Sequence, residues 1–264
     1  MYNIETLQIS STHPCLIIYL LDHSNSMAES DGTAKKGLKL AHSINEIIFE
    51  TGLKCVGANG DIRNRFELSV IGYGTSVSSA WQGALSGSWV VPISEVFNNP
   101  ISMYNDIPLW ISERYSGQTS MRRAFENAYR ICEDWINWGN HRDCHPPIII
   151  NITDGMPTDG GFNFGDLAHT VRKLMGLRTN YGNVNVFNIH IDGGFGDTIA
   201  FPNYPPNNNQ YAHLLFDLSS SLNPHMIQLA RNAGYNIKEG AKGYIFNGSG
   251  KNLMDFLNIG SNPI

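Results

Sequence analysis

The run Cys15-Leu-Ile-Ile-Tyr-Leu-Leu21 constrains the fold of this chain more than any other feature. A strand that is apolar at every position, and not at alternate ones, has both faces covered, which is the condition of a parallel sheet packed between helices. The rest of the chain repeats the theme. Apolar strand runs are expected at 66–73, 147–153 and 185–191. Between them lie stretches with a helical period: 34–50, with Leu38, Ala41, Ile44, Ile47 and Ile48 on one stripe; 120–138, with Met121, Ala124, Phe125, Ala128, Ile131, Cys132 and Trp135; and 166–177, with Leu167, Val171 and Leu174. Alternation of this kind predicts an α/β fold: a doubly wound, mostly parallel central sheet with helices on both faces.

Other segments are less regular. Residues 88–93 read as an antiparallel edge strand, since Pro92 would remove a ladder hydrogen bond from a central one. The stretch 192–210, rich in Gly, Pro and Asn, reads as a surface loop. The tail adds a strand-like 214–218, a helix at 224–233, a strand at 243–246 and a last helix near 252–258.

Composition narrows the function classes. The chain of 264 residues is 42% hydrophobic and 16% charged, as in an ordinary globular protein, and its net charge of −5 comes with no basic run. Nucleic acid and anionic membrane are therefore not expected as partners. Cys15, Cys55, Cys132 and Cys144 are far apart and read as buried small hydrophobes. The first residues lack a basic start followed by an apolar core, and no apolar run reaches about 18 residues, so a cytoplasmic location is expected.

The chemistry concentrates where the first strand ends. Asp22-His23-Ser24-Asn25-Ser26 sets an acid and two hydroxyls at alternate positions, a cup of hard oxygen ligands of the kind Mg²⁺ prefers. Two further oxygen clusters, Gly117-Gln118-Thr119 and Thr153-Asp154-Gly155, also fall at element boundaries. Taken singly, Ser24, Ser26 and Thr119 could be turn or N-cap residues and Asp154-Gly155 a simple turn. In an open α/β sheet, however, ligands bind outside the carboxyl ends of the strands where the strand order reverses. If the strands ending near Asp22 and Thr153 are neighbours, both acids emerge at that edge.

Asp22-x-Ser24-x-Ser26, then Thr119, then Asp154-Gly155 resemble the metal-ion-dependent adhesion site of von Willebrand factor type A (VWA) domains. The order of strands and helices is similar to that fold along nearly the whole chain, which implies one VWA domain over residues 1–264 with a C-terminal strand-helix extension. Leu215-Phe-Asp-Leu-Ser-Ser-Ser-Leu, Gly240-Ala-Lys-Gly-Tyr-Ile-Phe-Asn and Phe256-Leu-Asn-Ile-Gly resemble the tail of bacterial cytoplasmic VWA proteins related to those of tellurite resistance. The resemblance implies a non-enzymatic module with Mg²⁺, or Mn²⁺, held by Ser24 and Ser26, Thr119 joining in the ligand-bound state, and Asp22 and Asp154 helping directly or through water. The last position on the ion would go to a Glu or Asp carboxylate of a partner protein; bacterial relatives often accompany signalling proteins such as a kinase or a phosphatase, which makes these the candidate partners.

The chain departs from the family pattern at Asn25 and Gln118, where Gly is common; Asn tolerates a left-handed backbone better than most residues, so the turn is expected to survive at Asn25. His23 is expected to point away from the site. The alternative is a Mg²⁺-dependent phosphatase-like hydrolase with Asp22 as nucleophile, against which Ser24 stands where such enzymes place a second acid. His141-Arg-Asp-Cys-His145 as a zinc site and Gly248-Ser-Gly-Lys251 as a phosphate loop both lack the remaining residues of their patterns. Asp159 reads as a turn residue, and Trp81, Trp89 and Trp110 as core or loop anchors.

Overall fold

The computed structural model describes residues 7, 9–30, 32–191, 197–206, 209–248 and 255. In chain order the elements are β1 (Cys15–Asp22), α1 (Lys36–Leu53), β2 (Phe66–Tyr73), β3 (Val77–Ser79), β4 (Val91–Pro92), α2 (Ile93–Asn98), β5 (Ser102–Tyr104), β6 (Ile107–Leu109), α3 (Met121–Asn137), β7 (Ile148–Thr153), α4 (Gly165–Met175), β8 (Arg178–Thr179), β9 (Gly182–Asn183), β10 (Asn185–His190), β11 (Ile199–Ala200), α5 (Gln210–Asp217), α6 (Pro224–Asn232) and β12 (Tyr244–Phe246). The main sheet runs β11-β12-β10-β7-β1-β2-β3, with β4 also on β2. The four pairings that join its five central strands, from β12 to β2, are parallel; β3, β4 and β11 are antiparallel additions at the two edges.

β1 is buried along its whole length because both of its faces are covered. Cys15, Ile17, Tyr19 and Leu21 pack with Leu40, Ile44, Ile47 and Ile48 of α1 and with Met226 and Ala230 of α6. Leu16, Ile18 and Leu20 point the other way, into Ala124, Phe125 and Ala128 of α3, Leu167 and Val171 of α4 and Leu215 of α5. The period of two along the strand thus feeds two cores, and the doubly wound fold follows from it.

The structure differs from the sequence reading in four places. Residues 214–218 are helical: Asn209 caps α5 by accepting hydrogen bonds from Tyr211 N and Ala212 N, and Ala212, Leu215 and Phe216 repeat at helical spacing. A short apolar run cannot by itself separate strand from helix, and the cap lies inside what reads as loop. The edge contact at 88–93 narrows to Val91–Pro92 before the chain turns into α2. The stretch 192–210 contributes β11, and β3 adds a second edge piece beside β4 on β2. The helix expected near 252–258 and the Gly248-Ser-Gly-Lys251 motif lie largely outside the described residues.

Trp81 and Trp110 are fully buried, as anchoring predicts, whereas Trp89 is exposed. All four cysteines are buried and free. Among the described residues no helix is long and apolar enough to cross a membrane.

Candidate functional site

β1 and β7 are parallel neighbours, with Leu21 opposite Ile152, so Asp22 and Asp154 leave the sheet at the same carboxyl edge. From β1 the chain passes to α1 on one face, and from β7 it passes to α4 on the other. That reversal opens the crevice in which such sheets receive ligands.

The side chains meet there in a hydrogen-bonded chain. Asp22 is fully buried, and its Oδ1 accepts from Ser24 N at 2.8 Å while its Oδ2 accepts from Thr153 Oγ1 at 2.5 Å. Burial pushes the Asp22 carboxyl up to about 6; hydrogen bonds from Ser24 and Thr153 pull it back, and the nearby Asp154 charge pushes it further. Ser24 Oγ and Ser26 Oγ are 3.0 Å apart, and Ser26 Oγ donates to Asp154 Oδ1 at 2.6 Å. Asp154 Oδ2 accepts from Lys36 Nζ at 2.9 Å, and the same ammonium reaches Glu29 at 3.2 Å. Burial alone would lower the Lys36 pKa, but Asp154 and Glu29 together outweigh it and raise it.

Thr119 is brought alongside through its backbone. Thr119 N donates to Thr158 Oγ1 at 3.2 Å and Thr158 N donates to Thr119 O at 3.0 Å, which ties its loop to the one after Asp154. Thr119 is buried, and its hydroxyl makes no hydrogen bond to Asp22, Ser24, Ser26 or Asp154 among the described residues. Four of the five expected residues therefore form one contact chain, and the fifth sits in the adjoining loop.

Three nearby residues carry roles that the sequence reading did not give them. Asn25 begins a 3-10 turn, outside the left-handed region, and clasps the Thr119 loop: its Oδ1 accepts from Gly117 N at 2.9 Å and its N donates to Gly117 O at 3.1 Å. Its amide thus serves as a latch, and Gly117, at φ +55°, takes the left-handed backbone instead. Asp159 caps α3 from outside, accepting from Arg122 N at 2.9 Å and Arg123 N at 3.0 Å. His23 folds against Gly72 of β2, where an added Cβ would come within 2.2 Å of His23 Cε1. Burial, with the Arg114 charge, lowers the His23 pKa to about 4, so it is neutral at pH 7.

The donor set fits a hard divalent cation. It consists of hydroxyl and carboxylate oxygens, and two cis ligands on an octahedral ion with bonds of about 2.1 Å lie about 3.0 Å apart, the separation of Ser24 Oγ and Ser26 Oγ. Ser26 sends its proton to Asp154, which leaves a lone pair to face an ion. The fit rests on hydroxyls, because among the described residues no group of three or more His, Cys, Asp or Glu is placed to hold a metal. His141-Arg-Asp-Cys-His145 is accordingly dispersed: His141 stacks on Trp135 at 4.1 Å, and His145 is buried near Cys15.

No protein-family profile and no curated protein matches this sequence. Solved structures of similar form include the manganese-loaded TRAP protein of Plasmodium vivax (14% identity over 94% of this chain and 73% of that one, TM-score 0.48). Others are the pilus adhesin SpaC of Lactobacillus rhamnosus GG (13% identity, 93% of this chain and 30% of that one, TM-score 0.49) and the vWF domain of the pili tip protein Mfa5 of Porphyromonas gingivalis (12%, 57% and 40%, TM-score 0.34). The chain spans less than half of each of the last two, and the likeness is one of overall form that says nothing of the site.

Proposed function

We propose that this chain is a VWA-type protein-binding module whose carboxyl-edge crevice holds Mg²⁺ or Mn²⁺ and presents it to a Glu or Asp carboxylate of a partner protein. The observation that carries the reading is the Ser24–Ser26–Asp154 chain: two hydroxyl oxygens 3.0 Å apart, one of them already giving its proton to a buried acid. In this reading Ser24 and Ser26 hold the ion, Asp154 orients Ser26, and Asp22 anchors the Ser24 backbone from below while adding negative charge. Thr119 enters from its loop when the partner arrives. Neutral hydroxyls leave the ion's charge largely unmatched, which favours an anionic oxygen as the final ligand. Oxygen donors suit Mg²⁺ and Mn²⁺ alike. The resemblance of the tail to bacterial cytoplasmic VWA proteins supports a partner among signalling or stress-response proteins.

The hydrolase alternative has weaker support. A nucleophilic Asp22 needs a free oxygen facing substrate, whereas Asp22 is fully buried and both of its oxygens already accept hydrogen bonds.

The test is the melting temperature with Mg²⁺ or Mn²⁺ against EDTA, for the wild type and a Ser24→Ala, Ser26→Ala double variant. The wild type should gain stability with the ion and the variant should not, while both keep the same circular dichroism. An equal response in the two chains sinks the site.

A further inference from the structure

Lys36 stands where a cation is least expected. It is the first residue of α1, where the helix dipole disfavours positive charge, and the first turn of α1 contains no acid. Nor is it displayed to solvent: its side chain is 11% exposed, and the Asp154 side chain it meets at 2.9 Å is 1% exposed. Glu29, its second partner, is 69% exposed and supplies a screened contact. What draws Lys36 inward is therefore Asp154, which reaches it from the far side of the crevice. Asp154 is thus shared, with one oxygen taken by the Ser26 hydroxyl and the other by the Lys36 ammonium.

We propose that Lys36 is the resident counter-cation of the Ser24–Ser26–Asp154 cluster, holding it assembled and weakening its affinity for a divalent ion. This rests on the metal-binding reading above. A fixed positive charge on the carboxylate that orients Ser26 repels an arriving dication and neutralises half of the acid pair, Asp22 and Asp154, that would attract it. The same charge keeps Asp154 and Ser26 in place, so the cluster needs no ion to stay folded. A plain structural ion pair would do only the second of these, and the two roles separate in experiment.

The full chain is titrated with Mn²⁺ by calorimetry and by electron paramagnetic resonance, as wild type, Lys36→Gln and Lys36→Arg, and each is melted in EDTA. Lys36→Gln is expected to bind Mn²⁺ roughly tenfold more tightly than wild type, to melt at a lower temperature in EDTA, and to recover that deficit when Mn²⁺ is added. Lys36→Arg, which keeps the charge, should bind as weakly as wild type. If Lys36→Gln does not fold, Lys36→Met, with a stem of similar length, takes its place. Mn²⁺ affinity that is unchanged or weaker in the neutral variants, with wild type binding normally, overturns this inference alone. Failure of wild type and every variant to bind Mn²⁺ overturns the metal-binding reading, and this inference falls with it.

Discussion

The two ends of the β1–β7 pair carry equally buried reactive groups and come to opposite chemical states. At the amino edge Cys15, Cys144 and His145 gather, with His145 Nδ1 2.8 Å from the Pro146 carbonyl oxygen and 3.5 Å from Cys15 Sγ. A thiol beside an imidazole could make a nucleophile, but burial drives the Cys15 thiol far above its ordinary value and lowers His145 to about 4, so both stay neutral. At the carboxyl edge Asp22 is just as deeply buried, yet it has donors: Ser24 N, Thr153 Oγ1 and, one residue further, Lys36 on Asp154. Burial works against charge at both ends, but at the carboxyl edge the Ser24 and Thr153 donors hold the rise of Asp22 to about 6, so it stays ionised at pH 7. The carboxyl edge collects such groups because loops leave the sheet there.

The largest effect that would break this contrast is at the amino edge. The His145 pKa is about 4 in the fold against an ordinary value of 6.5, the first cause being burial, with the Pro146 hydrogen bond opposing it and the His225 charge adding to it. The unfolded chain takes up the proton below pH 6.5 and the folded chain only near pH 4, so this stability is present above 6.5 and is lost as pH falls. About 3 kcal/mol should go across that window. Urea unfolding at pH 7 and at pH 4.5 should show His145→Phe losing less stability than wild type; His23, also near 4, titrates with the same sign and its share remains in both chains. Equal acid losses would mean that the amino edge is wet and the contrast false.

A second, smaller test falls on the carboxyl edge. Gly72→Ala would set a Cβ within 2.2 Å of His23 Cε1, in the residue that joins Asp22 to Ser24. Overpacking of this kind costs about 2 kcal/mol, and most of that should vanish in a His23→Ala background, a coupling that a double-mutant cycle reads directly. Additive losses would show that His23 can swing clear, and that the loop is less firmly seated than its contacts indicate.

Sequence and structure agree where burial decides and part where cross-chain hydrogen bonds decide. The apolar runs of β1, β2, β7 and β10 and the stripes of α1, α3 and α4 are legible because each carries its own period. β3 and β11 are not, since pieces of three and two residues at a sheet edge show no pattern. Asp22, Ser24, Ser26 and Asp154 could be grouped because neighbouring parallel strands deliver their ends to one edge. The latches could not: Asn25 to Gly117, Asp159 to the start of α3 and Lys36 to Asp154 join residues far apart in sequence. Lys36 did leave one trace, two lysines opening a helix whose first turn offers no acid, which calls for an acid from elsewhere.

Asn25→Gly sharpens the comparison at the smallest scale, because it installs the residue common in the family the motif resembles. If glycine were needed for the turn, the change would be neutral or helpful; but Asn25 is not left-handed here, and its amide oxygen receives Gly117 N. Losing that bond at an exposed position should cost about 1 kcal/mol, and glycine's added freedom in the unfolded chain pushes the same way. The local signature is sharper than the global one: amide exchange at Gly117 should quicken in Asn25→Gly while exchange in the middle of β1 changes only with overall stability. Unaltered protection at Gly117 would mean that the Asn25 side chain adds nothing, and that the Thr119 loop is held by the backbone bond from Asn25 N to Gly117 O and by the Thr158 contacts.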